Sequence, residues 1–424
     1  MKQNQIQNIF LFLFFLFLSS ETTAQDGTDK PKAQFYGFIR NEFFYDSYKG
    51  VDAAMDQFYL VPLYAGRDAN GSDINDQGSA HLTAIATRLG VTISGTEILG
   101  ATPLANIETD FAGITKTEPV VLRIRKAFLK LTWKNSALLV GQTWHPFFGG
   151  ADCPMVAGLN TGAPFQPFNR SPQVNYDYQT GKIILSGTAL YESQYVSKGF
   201  YAVSNTNQST LPKRNAGIPE FVFSVKYSSK KITAGVSAQY NTIQPIDVTT
   251  GSDGEKYITN EMNTSQAGMA YIQYSGEKLK ILARAVIGQN LANLTMPGGY
   301  GVKSVDETTG AYTYTNYTNY TAFINGVYGK QHQVGFFAGI GENLGTNDAL
   351  ADASLTAGML TKIQNMNRFS ANYTYNIKNF RFIAEYERTT AVYGTGNMDL
   401  SNGLFSSSER ATNNRLIFVM MYTF

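Results

Sequence analysis

The chain has 424 residues, with 34 Lys and Arg against 32 Asp and Glu, a formal net charge of +2. So even a balance gives no electrostatic footprint for nucleic acid, and none is expected as a partner. The single cysteine, Cys153, excludes an internal disulfide, and no segment is apolar for the roughly 20 residues that a spanning helix needs.

The amino end reads as a secretory signal. Lys2 precedes an unbroken apolar run, Ile9 to Leu18, and small and polar residues follow to Ala24 and Gln25. The run is too short to span and is followed by a signal-peptidase pattern, so residues 1–25 are expected to be cleaved and 26–424 to form one domain. No Cys follows the run, which argues against a lipoprotein.

The mature chain then alternates at period two, segment after segment. In Ala33 to Asp46, Ile39, Phe43 and Tyr45 oppose Arg40, Glu42 and Asp46. In Ser79 to Ser94, Ile85, Leu89, Val91 and Ile93 oppose Ala84, Arg88, Gly90 and Thr92, and His81 shares the apolar register. Ala101 to Gly113 sets Asn106, Glu108 and Asp110 against Ala105, Ile107 and Phe111. Val120 to Trp133 sets Arg123 and Arg125 against Leu122 and Ile124, and Ala137 to Trp144 follows a turn at Asn135 and Ser136. The pattern breaks from His145 to Pro172, which holds five of the thirteen prolines and is expected to be a loop. Eleven more strands are expected: 173–178, 182–192, 220–227, 231–240, 266–275, 278–289, 321–328, 333–340, 367–375, 380–389 and 411–424.

The last of these puts Leu416, Phe418, Met420, Tyr422 and Phe424 on one wholly apolar face. Such a face at a chain end suits lipid, and the 26 Tyr and 28 Phe suit interfacial girdles. About sixteen strands, with seven short connections alternating with eight longer ones, predict a transmembrane antiparallel β-barrel with short periplasmic turns and long extracellular loops. Phe424, Tyr422 and the alternate apolar residues before them resemble the C-terminal signal of bacterial outer-membrane barrels, which implies the barrel-insertion machinery as a partner.

The architecture resembles the sixteen-stranded general porins, whose third extracellular loop folds into the lumen; the Pro-rich stretch stands at that position. More narrowly, Arg88-Leu89-Gly90, Glu108-Thr109-Asp110-Phe111, Arg123-Ile124-Arg125-Lys126-Ala127 and Val140-Gly141-Gln142-Thr143-Trp144 resemble the DcaP-like trimeric porins over residues 80–145. The resemblance implies a Gram-negative outer membrane, a homotrimer, and passive diffusion of small solutes, carboxylates among them. The Pro-rich loop departs from the family pattern, which leaves the solute open.

On this reading the polar register supplies the residues that face solutes. The basic ones are Arg40, Arg88, Arg123, Arg125, Arg284, Arg381 and Arg415; the acidic ones are Glu42, Glu108, Asp110, Glu192, Glu385 and Glu387. Opposed charges across a constriction orient dipolar solutes, whereas mutual pairing would merely keep a lumen wet. Trp144, His145, Phe147, Phe148, Phe165 and Phe168 are expected to pack the constriction loop on the wall, with Asp152 and Arg170 facing the eyelet. The three histidines show no metal spacing and no catalytic series, so neither an enzyme nor a cofactor is expected. Asp68 to Asp76 is rich in oxygen ligands but lacks EF-hand spacing, so a solvated turn competes with a surface calcium site. The alternative for the whole chain is a non-conducting structural or adhesion barrel.

Overall fold

The computed structural model describes residues 31–113, 118–200 and 209–424. The expected leader lies outside these residues, as does most of the link at 115–118.

Sixteen antiparallel strands close on themselves. The wall consists of β1 (Lys32–Asp46), β2 in two pieces (Ser79–Thr83 and Arg88–Ser94), β3 (Thr102–Ala112), β4 (Val120–Thr132), β5 (Ser136–Trp144), β6 (Arg170–Thr180), β7 (Ile183–Leu190), β8 (Glu220–Ser228), β9 (Ile232–Ile243), β10 (Asn263–Ser275), β11 (Leu279–Gln289), β12 (Tyr312–Gly329), β13 (His332–Thr346), β14 (Ile363–Ile377), β15 (Phe380–Asp399) and β16 (Leu404–Thr423). Each pairs with the next, and β16 pairs back onto β1 from Phe38–Thr423 to Asp46–Arg415. Closure leaves no unpaired strand edge, which a bilayer would not tolerate.

The outside is apolar at every second residue. Phe35, Leu82, Leu122, Leu129, Phe223 and Val236 are all more than half exposed, a face that suits lipid and not water. Tyr178, Tyr227, Tyr274, Tyr328, Phe380 and Tyr422 point outward within a few residues of the short turns and form a girdle at that end. In β16, Leu416, Phe418, Met420 and Tyr422 are exposed while Ile417 and Val419 are buried.

Two irregularities re-aim side chains. Between the pieces of β2 the partner sum changes by one, from Glu42–Thr83 to Phe38–Arg88, so the register of its first half is inverted. His81 therefore does not face lipid as expected: it pairs with Phe44 and its ring lies 5.6 Å from that buried ring. Ile85 likewise packs inward. In β4 a bulge between the pairs Glu108–Lys126 and Thr109–Ile124 brings Arg123, Arg125 and Lys126 to the same side.

The loops at the other end are not all loops. The stretch expected to connect the last two strands is a continuation of them, because β15 and β16 run on to a four-residue turn at 400–403. The first loop, L1 (47–78), carries a hairpin of Gly50–Ala53 and Phe58–Pro62. The third, L3 (145–169), follows β5; the fourth, L4 (191–219), follows β7; and the sixth, L6 (290–311), follows β11 and adds a strand, Gly298–Val305, paired with Thr356–Met359 of the seventh.

Candidate functional site

L3 crosses the lumen and is tied to the wall at points far apart around the ring. Its start is held by Arg284 of β11, whose Nη1 donates to the carbonyls of Phe147 and Phe148 at 3.0 and 3.1 Å and whose Nη2 donates to Gly149 at 3.3 Å. Asp152 exchanges hydrogen bonds with Gln273 of β10. The Met155 N–H donates to Asn325 of β12 at 2.8 Å, and its carbonyl accepts from Asn372 of β14 at 3.2 Å. The Ala157 N–H donates to Glu385 of β15 at 2.9 Å, and its carbonyl accepts from Arg40 of β1. Arg368 of β14 donates to the carbonyls of Ala163 in L3 and Leu60 in L1. These anchors satisfy the backbone groups of a buried irregular segment, the condition for such a segment to lie inside a barrel.

L1 and L3 also share an apolar core. Phe58, Leu60 and Val61 of the hairpin pack with Phe148, Phe165 and Phe168 of L3 and with Phe323, Phe337 and Met366 of the wall. Trp144 stacks on Phe148 with centroids 3.7 Å apart, and Phe58 meets Phe168 edge-on at 4.8 Å. Phe147 joins a second cluster with Leu291, Leu294 and Met296 of L6. Aromatic pairs of this kind add about 0.5–1.5 kcal/mol each beyond simple burial.

At the root of L3 lies a buried polar clamp. His145 is fully buried; its Nδ1 accepts the Phe147 N–H at 3.1 Å, so Nε2 carries the proton that it shares with Glu220 of β8 at 2.6 Å. The other oxygen of Glu220 accepts from Asn293 of L6 at 3.0 Å. Every polar atom of the imidazole is used in holding loops together.

The charges concentrate on β2 to β4. Asp110 takes a two-point contact from Arg123, Nε–Oδ1 2.6 Å and Nη2–Oδ2 3.2 Å, and a further bond from Arg125 Nη1 at 2.6 Å. Glu108 accepts from Arg125 Nε at 2.9 Å and Lys126 Nζ at 3.1 Å, and lies 3.7 Å from Arg88. Four cations thus meet two carboxylates, an excess of two positive charges. Asp110 and Glu108 are almost wholly buried, and so is Arg125, but the side chains of Arg88, Arg123 and Lys126 keep 21%, 13% and 24% of their surface open. Lys126 was missing from the sequence expectation because only the bulge brings it inward.

The remaining expected residues divide by partner. Arg40 pairs with Glu42, and Arg415 contacts Asp46 at 3.5 Å while lying 4.3 Å over the Phe44 ring. Glu387 contacts Arg368 at 3.3 Å, and Glu192 accepts from Ser197 and Asn241. Arg381 donates to Asn376 at 2.9 Å near the short-turn end. Arg170, expected to face the eyelet, is fully buried: it is the first residue of β6, with its guanidinium 4.9 Å from the Trp144 ring and 5.6 Å from the Phe168 ring. Asp152 remains largely exposed, 3.9 Å from Lys280. Arg368, absent from the expected set, is the most heavily engaged guanidinium of the far wall.

In L1 the oxygens of the Asp-rich stretch serve the loop itself. Asp68 accepts the N–H groups of Asn70 and Ser72, and Asp73 accepts those of Gly66 and Asn75 and the hydroxyl of Tyr48. Among the described residues no group of three or more His, Cys, Asp or Glu is arranged to hold a metal ion.

No family model matches this sequence, and no curated protein matches it. Solved structures do. The outer membrane channel DcaP of Acinetobacter baumannii is similar at a TM-score of 0.66 and 19% identity, covering 94% of this chain and all of that one. An anion-selective porin from Comamonas acidovorans is similar at 0.52 and 8% identity, covering 93% and 100%, and OmpF of Salmonella typhi at 0.51 and 11%, covering 94% and 100%. The chain has the closed sixteen-stranded fold of the outer-membrane porins, with its third loop folded across the lumen.

Proposed function

We propose that this protein is an outer-membrane porin of a Gram-negative bacterium, a passive channel for small hydrophilic solutes with a modest preference for carboxylate-bearing ones. Lipid surrounds it, three copies assemble, and the alternating strand that ends at Phe424 delivers it to the barrel-insertion machinery. The observation that carries the anionic preference is the β2 to β4 cluster, in which four cations share two carboxylates and Arg88 and Arg123 keep open surface. Guanidinium groups bind carboxylates in a fork and stay charged at physiological pH. Contact must remain brief for transit to continue, and solvent at the open edges of the cluster keeps it so.

The test is the reversal potential of the purified protein in planar bilayers under a salt gradient. Wild type is expected to favour anions, and Arg88→Gln with Arg123→Gln to shift the potential toward cations. Asp110 keeps Arg125 in that variant, so the fold is spared. A cation-selective wild type, or no shift in the double variant, would remove the anionic preference. A second reading, a non-conducting barrel, is favoured by the apolar core that L1 and L3 share inside the wall; absence of any conductance in the same experiment would select it.

A further inference from the structure

Beneath the tip of L3 lies a cavity of about 200 Å³. Its roof is Cys153 to Val156 and its walls include Val327, Ile383 and Arg381. The wall residues lie near the short-turn end: Arg381 is the second residue of β15 and Val327 is two from the end of β12. The cavity is therefore on the opposite side of L3 from the long loops. Its roof is fixed, because Met155 is clamped through both its N–H and its carbonyl to Asn325 and Asn372 on two wall strands.

The chemistry of the lining is divided. Met155, Val156, Val327 and Ile383 supply an apolar surface beside the polar Gln333, Asn372 and Thr374. Arg381 supplies a cation whose Nε is held by the neutral Asn376, and no carboxylate of the described residues pairs with it. A planar guanidinium with donors to spare matches a carboxylate, and the apolar walls match a short hydrocarbon body. A cavity of this volume admits only a small guest.

We infer that this cavity is a second solute station, for small aliphatic carboxylates, between L3 and the periplasmic mouth. The inference rests on the reading of the barrel as a channel for carboxylates, and it adds a site separate from the β2 to β4 cluster. A solute leaving the first cluster meets the Arg381 cation before the mouth, which divides one long diffusive passage into two shorter ones.

Cys153 is the only thiol of the chain, is exposed, and lines the cavity, so the native protein carries its own reporter. The full chain in detergent is labelled with a sulfonate-bearing methanethiosulfonate, with and without hexanoate, and with hexanol as an uncharged control. Hexanoate is expected to slow labelling several-fold and hexanol to leave it unchanged, with the protection lost in Arg381→Gln. Equal effects of hexanoate and hexanol in the wild type, or equal protection by hexanoate in Arg381→Gln, would overturn the site. The comparison of the two probes needs no variant, so a folding defect in Arg381→Gln cannot mask the result. Protection reads occupancy without current, so a barrel that binds hexanoate but conducts nothing would sink the channel reading alone.

Discussion

Arg368 stands where β14, L1 and L3 meet, and its guanidinium is almost wholly buried. Nε donates to Thr389 at 2.8 Å and lies 3.3 Å from Glu387, while the terminal nitrogens take one carbonyl from each loop. Removing it strands a buried carboxylate and two buried carbonyls. Losing one partner of a buried ion pair costs about 3–5 kcal/mol. Arg67 and Glu409 pair at the surface with side chains 57% and 32% exposed, and such a pair is worth about 1 kcal/mol or less. Arg368→Ala is therefore expected to lower the urea midpoint of the refolded barrel clearly and Arg67→Ala hardly at all. Similar midpoints in the two variants would mean that the loops hold without this guanidinium. Arg368 was readable in principle, since it lies on the polar register of a strand that the sequence marks at 367–375. The fate of Arg170 and Arg284 was not readable. Period two says only which side a residue takes, and nothing in it tells a guanidinium facing water from one spent on loop carbonyls.

At the scale of elements, alternation was a sufficient guide wherever a strand is regular. Each of the sixteen wall strands overlaps an expected segment, and several run well past its ends, as β12, β15 and β16 do. It failed at the bulges of β2 and β4, where one added residue exchanges the faces and no residue type announces the change. β16 is regular through its membrane half, so its predicted behaviour is sharp. Phe418 is half exposed in the middle of the band and pairs with Phe43 across the seam, with centroids 6.3 Å apart. Thr423 is the last residue of the strand, at the short-turn end. A cation at the midplane costs about 2–4 kcal/mol and near the interface about 0–1 kcal/mol. Phe418→Arg is thus expected to reduce the heat-modifiable folded fraction in lipid vesicles strongly, and Thr423→Arg slightly. An equal loss in both would mean that depth in the bilayer does not govern this strand.

Across the whole molecule the wall and the loops form one packed object. L1 enters the barrel mouth, meets L3 through Phe58 and Phe168, and is joined to it by Arg368. L3 in turn reaches β10, β11, β12, β14, β15 and β1, so its contacts span most of the ring. Neither loop has a folded core of its own: the aromatic residues of each are buried largely against the other. Elements that share a core lose stability non-additively, because the first deletion already exposes the partner's surface. Replacing 147–165 by a short Gly-Ser bridge is expected to raise single-channel conductance and also to add fast current noise, as the L1 hairpin loses its floor. Removing 50–62 alone is expected to change conductance less, since the anchors of L3 to Arg284, Asn325, Asn372 and Glu385 survive. Removing both is expected to raise conductance without the noise, since no loosened hairpin remains. Unchanged conductance on shortening L3 in a folded protein would take that loop out of the conduction path; raised conductance without noise would mean that L1 stands without its partner.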